Sequence, residues 1–437
     1  MSSLRQRRDV LALWVPFVWY AIATSRAVSL WLTLFGYEPG ALNYLEGSPI
    51  DRAVYSVLML LGILILLRRR IEWPRLLMDN KWVIVLFVYM LVSISWSQFP
   101  QVGFKRWTRA TGDLIMVLVV LSESEPVEAI SKVLRRCFYI NLSLSLIFVK
   151  YFRTIGTGWD QNGAEMWIGV TTHKNVLGEV CMISGIFFVW SILRDSGMRR
   201  GVDIAFLLVS LWLLGGSESY TSITAILTFC VGVGLVCFLQ TAKSRVEFLK
   251  QYLVVASIVV VVGLLVAGFT AQTFSSRSIF SAGLRASGRD STLTGRTELW
   301  QDMLDIGSKR PIGGVGYGNF WIGNLSDDLW DRHIWRPTQG HNGYLDVYLE
   351  LGIAGVCILF LVVISSFRQI IRTFEYDFEY GRFRFVFLVV LLLHNMTESS
   401  FLRGANNLWF IFLLVAIMAP GIWEAPVELT TQRMITD

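Results

Sequence analysis

Long apolar runs recur along nearly the whole chain, each closed off by polar or charged residues. About twelve are legible, at roughly 10–34, 53–67, 82–98, 108–121, 134–150, 174–193, 202–216, 220–239, 250–270, 343–367, 384–399 and 405–421. A helix needs about 20 apolar residues to cross a bilayer. Inside lipid the backbone must also satisfy its own hydrogen bonds, which favours helices. The repetition predicts an all-α fold, a polytopic transmembrane bundle of about twelve spans. Several runs are shorter than a full span, so those helices are expected to extend into polar flanks or lie partly inside the bundle. With 54% hydrophobic and 16% charged residues, the chain is far from soluble domains, which carry about 25% charge. A soluble globular enzyme, a disordered chain and a coiled coil are excluded. The five cysteines form no CxxC pair and have no histidine at metal-ligand spacing. No disulfide scaffold or metal site can be read from them.

Charge sets the topology. A net charge of +6 would raise nucleic acid as a partner for a soluble protein. In a membrane protein excess Lys and Arg record orientation, and no nucleic-acid partner is expected. With the N-terminus inside, more than half of the 39 basic residues fall in inner segments, among them Arg68–Arg70, Arg194, Arg199, Arg200, Arg382 and Arg384. Both termini are then cytoplasmic. Arg5, Arg7 and Arg8 before the run Val10–Ala23 also resemble a cleavable signal peptide. Apolar sequence resuming after Arg26 favours an uncleaved first helix.

Three segments follow. Residues 1–270 hold about nine spans, 271–342 an extracytoplasmic loop, and 343–437 about three spans. A loop of that length is more than a connector. It mixes Trp300, Trp321, Trp330 and Trp335 with Gly and Asn. Such indoles suit sugar rings or a membrane-interface belt, and both readings stand. Lys105, Arg106 and Arg109 crowd together on the outer side with no acid in 98–109. They either snorkel to headgroups or hold an anionic ligand.

The motifs narrow the choice. Thr294-Gly295-Arg296-Thr297-Glu298-Leu299-Trp300 is followed by Arg310-Pro311-Ile312-Gly313-Gly314-Val315-Gly316-Tyr317-Gly318-Asn319-Phe320. Then come Gln339-Gly340-His341-Asn342-Gly343-Tyr344-Leu345 and Glu350-Leu351-Gly352-Ile353-Ala354-Gly355. This ordered set resembles the O-antigen ligase/polymerase superfamily of bacterial membrane glycosyltransferases. Gly169-Val170-Thr171-Thr172-His173-Lys174-Asn175, Gly47-Ser48-Pro49-Ile50-Asp51-Arg52, Lys105-Arg106-Trp107 and Asn395-Met396-Thr397-Glu398-Ser399 look like its exopolysaccharide-production polymerase branch. The charge-derived topology puts all of these motifs on the outer face, where the family works.

The resemblance implies an enzyme of the bacterial inner membrane with its active site facing the periplasm. Its donor would be an undecaprenyl-diphosphate-linked oligosaccharide. Its acceptor would be a glycan or lipid, among membrane lipids and with a chain-length regulator as a further partner. It implies no cofactor. By resemblance Arg296 and His341 match the catalytic Arg and His of the family. The chemistry suits them: a permanently charged guanidinium neutralises a leaving diphosphate, and an imidazole can take the acceptor hydroxyl's proton. Lys105, Arg106, Arg109, His173, Lys174, Asn175 and Asn342 are expected at the substrate.

Each residue also has a plainer reading. Asn342 suits a helix cap, His173 to Asn175 open a helix, and Arg296 suits a helix surface. His394, inside an apolar run, reads as a satisfied bundle histidine, and His333 as a loop surface residue. Gly313 to Gly318 match no nucleotide-loop pattern and read as a tight turn. No acidic pair suggests a metal. Glu218 stands where ligases of the superfamily often carry a base, which tips the reading from ligase toward polymerase. A transporter is the weaker alternative, because few prolines or acids sit inside the runs.

Overall fold

The computed structural model describes residues 11–37, 47–159, 163, 165–217, 220–241, 291–333 and 335–419. The expected span at 250–270, the loop's first part to residue 290, Glu218 and the N-terminal arginines lie outside the described residues. The chain is overwhelmingly helical: α1 (Trp14–Ala23), α2 (Val28–Thr33), α3 (Pro49–Arg68), α4 (Trp73–Asp79), α5 (Lys81–Ser93), α6 (Pro100–Leu121), α7 (Pro126–Tyr151), α8 (Lys174–Arg194), α9 (Gly197–Gly216), α10 (Tyr220–Thr241), α11 (Ser291–Gly307), α12 (Asn324–Arg332), α13 (Gly343–Tyr376), α14 (Phe378–His394) and α15 (Asn407–Ala416). A short antiparallel hairpin, β1 (Thr157–Trp159) with β2 (Glu165–Trp167), interrupts them.

Helix starts follow local chemistry. Pro49, Pro100 and Pro126 occupy first-turn positions, where a missing N–H costs nothing. Asn342, Asp377 and Asn406 cap α13, α14 and α15 through their side-chain oxygens. The first apolar run is split into α1 and α2 around Arg26. That guanidinium is not outward decoration: it donates to the carbonyls of Ile155 (2.7 Å) and Thr171 (3.0 Å).

Helices occupy each expected run within the described residues, but they are not equivalent. Among these residues α3, α8 and α13 are long and apolar enough to cross a bilayer unaided. The α4–α5 pair, bent by 83°, adds a fourth if counted as one span. The helices α1 and α15 have 10 residues each. The helix α14 is apolar almost all round and buried along nearly its whole length, the mark of a helix inside a bundle. By contrast α3 turns Val57, Leu60, Leu61 and Leu67 outward. The molecule is a membrane protein of packed helices. Its hydropathy reports burial in protein as well as burial in lipid.

One tertiary feature positions the site. α13 breaks at Gly352, whose φ is +67°. The Gly-rich loop docks into that break: Val315 and Gly316 donate to the freed carbonyls of Leu349 (3.0 Å) and Glu350 (2.9 Å), and Ile353 donates to Pro311 (2.8 Å). A Cβ at Gly352 would stand 2.1 Å from the Ile312 carbonyl oxygen, and one at Gly314 2.4 Å from the Glu350 carbonyl carbon. Two motifs far apart in sequence are thus one device, a kinked helix whose orphaned carbonyls are satisfied by a loop. Around it Leu299, Met303, Phe320, Leu329 and Leu349 form a separate small core that ties α11 and α12 to α13.

Candidate active site

Two neighbouring clusters lie at the Gly343 end of α13. The first is a cavity of about 510 Å³ between α3, α6, the Gly-rich loop, α13 and the 401–404 turn. Arg52, Lys105, Arg106, Arg109 and Arg403 line it, facing two carboxylates, Asp346 and Glu350. Arg106 donates to the Gly318 carbonyl at 2.7 Å, and the Gly318 N–H donates to Glu350 at 2.9 Å. Arg109 lies over the Tyr55 ring, 5.3 Å from its centroid. Arg403 pairs with Asp346 at 3.0 Å. Lys105 and Arg52 form no ion pair among the described residues. The cavity therefore carries an excess of positive charge in a partly apolar setting, where Coulombic attraction for an anion is stronger than in bulk water.

The second cluster surrounds His341. Its backbone φ is +49°, a region that non-glycine residues seldom enter. Neighbours pin it there: Gly340 donates to Asp346 (3.1 Å), Asn342 to the Ser399 hydroxyl (3.1 Å) and Gly343 to the Asn395 carbonyl (2.8 Å). Strain held by several independent hydrogen bonds is a feature of functional sites. His341 Nδ1 lies 3.0 Å from Glu398. Gln339 donates to the same carboxylate oxygen at 3.0 Å. Arg296 approaches the other oxygen at 3.5 Å and donates to the Thr397 carbonyl at 3.2 Å.

Burial pushes the Glu398 carboxyl up, but the hydrogen bond and charge of His341, with Arg296, outweigh it and leave it below the usual range. An ionised Glu398 accepts, so His341 donates through Nδ1. When the ring carries a single proton, that arrangement leaves Nε2 as its basic nitrogen. Burial and the charge of Lys174 lower the His173 imidazole, while Glu398 raises it and His341 lowers it further. His173 is therefore within electrostatic reach of this cluster.

The expected residues separate into groups. Lys105, Arg106 and Arg109 line the cavity together; Arg296 and His341 meet at Glu398 instead. The Asn342 side-chain oxygen accepts from Tyr344 (3.1 Å) and Leu345 (3.2 Å) as the α13 cap. His173 likewise caps α8, accepting from the Asn175 N–H at 3.2 Å; Lys174 and Asn175 form the first turn after it. Two plainer readings fail. His394 is fully buried, yet neither ring nitrogen has a hydrogen bond among the described residues. Its nearest acid is Glu179 at 3.7 Å. His333 is not a surface residue: it is buried and bonds Asp302 at 2.9 Å. Sequence reasoning did not single out Glu398, Arg403, Asp346 or Glu350. Glu398 and Glu350 stood in motifs that could have flagged them; Arg403 and Asp346 did not.

A family model described as O-Antigen ligase matches residues 204–361, which include Arg296, the Gly-rich loop and His341. The exopolysaccharide production protein ExoQ of Rhizobium meliloti is 25% identical over 354 residues, covering 78% of this chain and 73% of that protein. These two similarities support a place in the O-antigen ligase superfamily. The chain is also similar to a candidate polysaccharide ligase of Rickettsia felis, at 23% identity over 53% of this chain and 55% of that protein. Together the similarities support an O-antigen ligase/polymerase-type role, with a lipid-linked glycan as substrate in general terms.

Proposed function

We propose that this protein is a glycosyltransferase that polymerises undecaprenyl-diphosphate-linked oligosaccharide repeats into exopolysaccharide or O-antigen, at the periplasmic face of the inner membrane. The observation that carries the reading is the meeting of Arg296, His341 and Glu398 beside a cavity lined by five cations. The donor's diphosphate sits among Lys105, Arg106 and Arg109, with Arg52 and Arg403. His341 Nε2 accepts the proton of the acceptor hydroxyl as its oxygen attacks the anomeric carbon. The bond from that carbon to the phosphate oxygen breaks, its electron pair stays on the diphosphate, and the configuration inverts. Glu398 orients the imidazole and stabilises the imidazolium, and Arg296, held by Glu398 and the Thr397 carbonyl, turns its remaining donors to the leaving phosphate.

Transfer of a finished glycan to lipid A-core, a ligase reaction, is the second reading. It is favoured by the description of the matching family model, and the likeness to ExoQ over most of its length favours polymerisation. The decisive experiment presents purified protein in nanodiscs with lipid-linked repeat alone, in EDTA. A ladder of products supports polymerisation; transfer only after addition of lipid A-core supports ligation. His341→Ala should lose about 10²–10⁴-fold in rate while retaining donor binding. Full activity of that variant would remove His341 as the base, and a requirement for added metal would overturn the metal-free scheme.

A further inference from the structure

The four loop tryptophans separate in the structure. Trp300 donates its indole N–H to the Gly340 carbonyl at 2.7 Å, Trp321 to Asp346 at 3.2 Å, and Trp330 to the Pro337 carbonyl at 2.8 Å. Trp321 is also buried in the small core around α11 and α12. These three are committed to building the loop. Trp335 is different: it is 38% exposed and stands beside the candidate base. Its ring centroid lies 6.1 Å from that of His341 and 6.2 Å from that of His333. A membrane-belt indole is expected among lipid-facing apolar side chains; the ring neighbours of this one are imidazoles.

We propose that the exposed indole of Trp335 is the stacking platform for a pyranose ring of the acceptor glycan. This rests on the reading of His341 as general base. The reasoning is positional. The cations that suit the donor's diphosphate line the cavity, which the chain reaches at Thr338. From Thr338 the same short segment runs back to Trp335 and forward to His341. A sugar on the indole is thus set apart from the cation wall and next to the imidazole, where the acceptor hydroxyl must lie. A flat aromatic face takes the C–H edge of a sugar without using a hydrogen bond and costs little conformational entropy. Trp335 is on this account a positioning and specificity-determining residue.

The test uses full-length protein in nanodiscs and, as probe, oligosaccharide released by mild acid from the cells' own lipid-diphosphate pool. Binding is read by saturation-transfer NMR. Trp335→Ala and Trp335→Leu should each weaken binding about tenfold, and Trp335→Phe should restore most of it. Turnover at saturating donor should show a raised KM for acceptor with little change in kcat. No binding by the unaltered protein, or equal binding by the Ala and Leu variants, overturns the proposal. The two readings fail separately. Transfer that proceeds with an unchanged acceptor KM in Trp335→Ala sinks the platform alone. Absence of any transfer by the unaltered protein sinks the proposed reaction, and the binding series then judges the platform by itself.

Discussion

Two sets of basic residues occupy opposite ends of the helix bundle, and in the sequence they look alike. At the far end Arg384 is fully buried. It donates to the Val415 carbonyl at 2.9 Å, the Thr373 hydroxyl at 3.0 Å and Gln369 at 3.2 Å. Arg135, also buried, joins Asp195 and Asp203. At the site end Lys105 and Arg109 are exposed to a cavity and face an excess of their own sign. Positive charge near a helix end therefore has two meanings here. Where protein acceptors surround it, it holds helices together. Where they do not, it is left to attract an anion.

The largest effect that sharpens this contrast compares Arg296 with Arg384. Arg296→Ala should lower kcat about 10²–10³-fold, the usual cost of removing one preorganised donor at a transition state. Arg296→Lys should recover little of it, because the planar fork is gone. Arg384→Met should leave activity per folded molecule intact and instead lower thermal stability, by about 1–3 kcal/mol for each buried acceptor left unsatisfied. The comparison breaks if Arg384→Met loses turnover without losing stability in a detergent melting assay.

A smaller effect belongs to the cavity wall. Lys105→Ala and Arg109→Ala should each raise KM for the lipid-diphosphate donor about tenfold, the size expected for removing one charge-assisted hydrogen bond to phosphate. The penalty should shrink at high salt, since exposed charges are screened. Titrating donor at two ionic strengths reads both. A KM that does not respond to either substitution would return these residues to headgroup snorkelling.

The smallest effect is in pH. His173 is lowered from 6.5 and Glu398 from 4.5. For both, the folded state resists protonation, so the stability they contribute is complete above the ordinary value and lost as pH falls. Melting temperature should begin to decline below about pH 6.5 through His173, and further below about 4.5 through Glu398. His173→Gln should remove the first decline and leave the second. An unchanged profile in that variant would detach His173 from the site's electrostatics.

The candidate site was partly legible. Arg296 and His341 stand out because their residue types carry one chemistry each and recur in a recognisable order. Glu398 sat in a motif but had no stated partner. Its pairing with His341 spans 57 positions of sequence and depends on how α14 ends. Asp346 looked like an ordinary acid at the start of a span, though Gly340 six residues before it donates to it; Glu350 sat in a motif without a stated partner, and the docking of the Gly-rich loop brings Gly318 onto it.

Sequence alone determined the helical membrane class, because apolar runs and their polar borders act through local hydrogen bonding and transfer from water, which need no partner. It also determined the helix starts, since a cap or a first-turn proline works within a few residues. Tertiary structure decided which apolar faces meet lipid and which meet protein. Hydropathy cannot separate the two, as the outward α3 and the enclosed α14 demonstrate. It likewise decided which arginines are satisfied, which of four tryptophans stands exposed beside the imidazole, and which carboxylate holds that imidazole. Each of these is a question of what lies across a gap between distant segments, and only packing closes that gap.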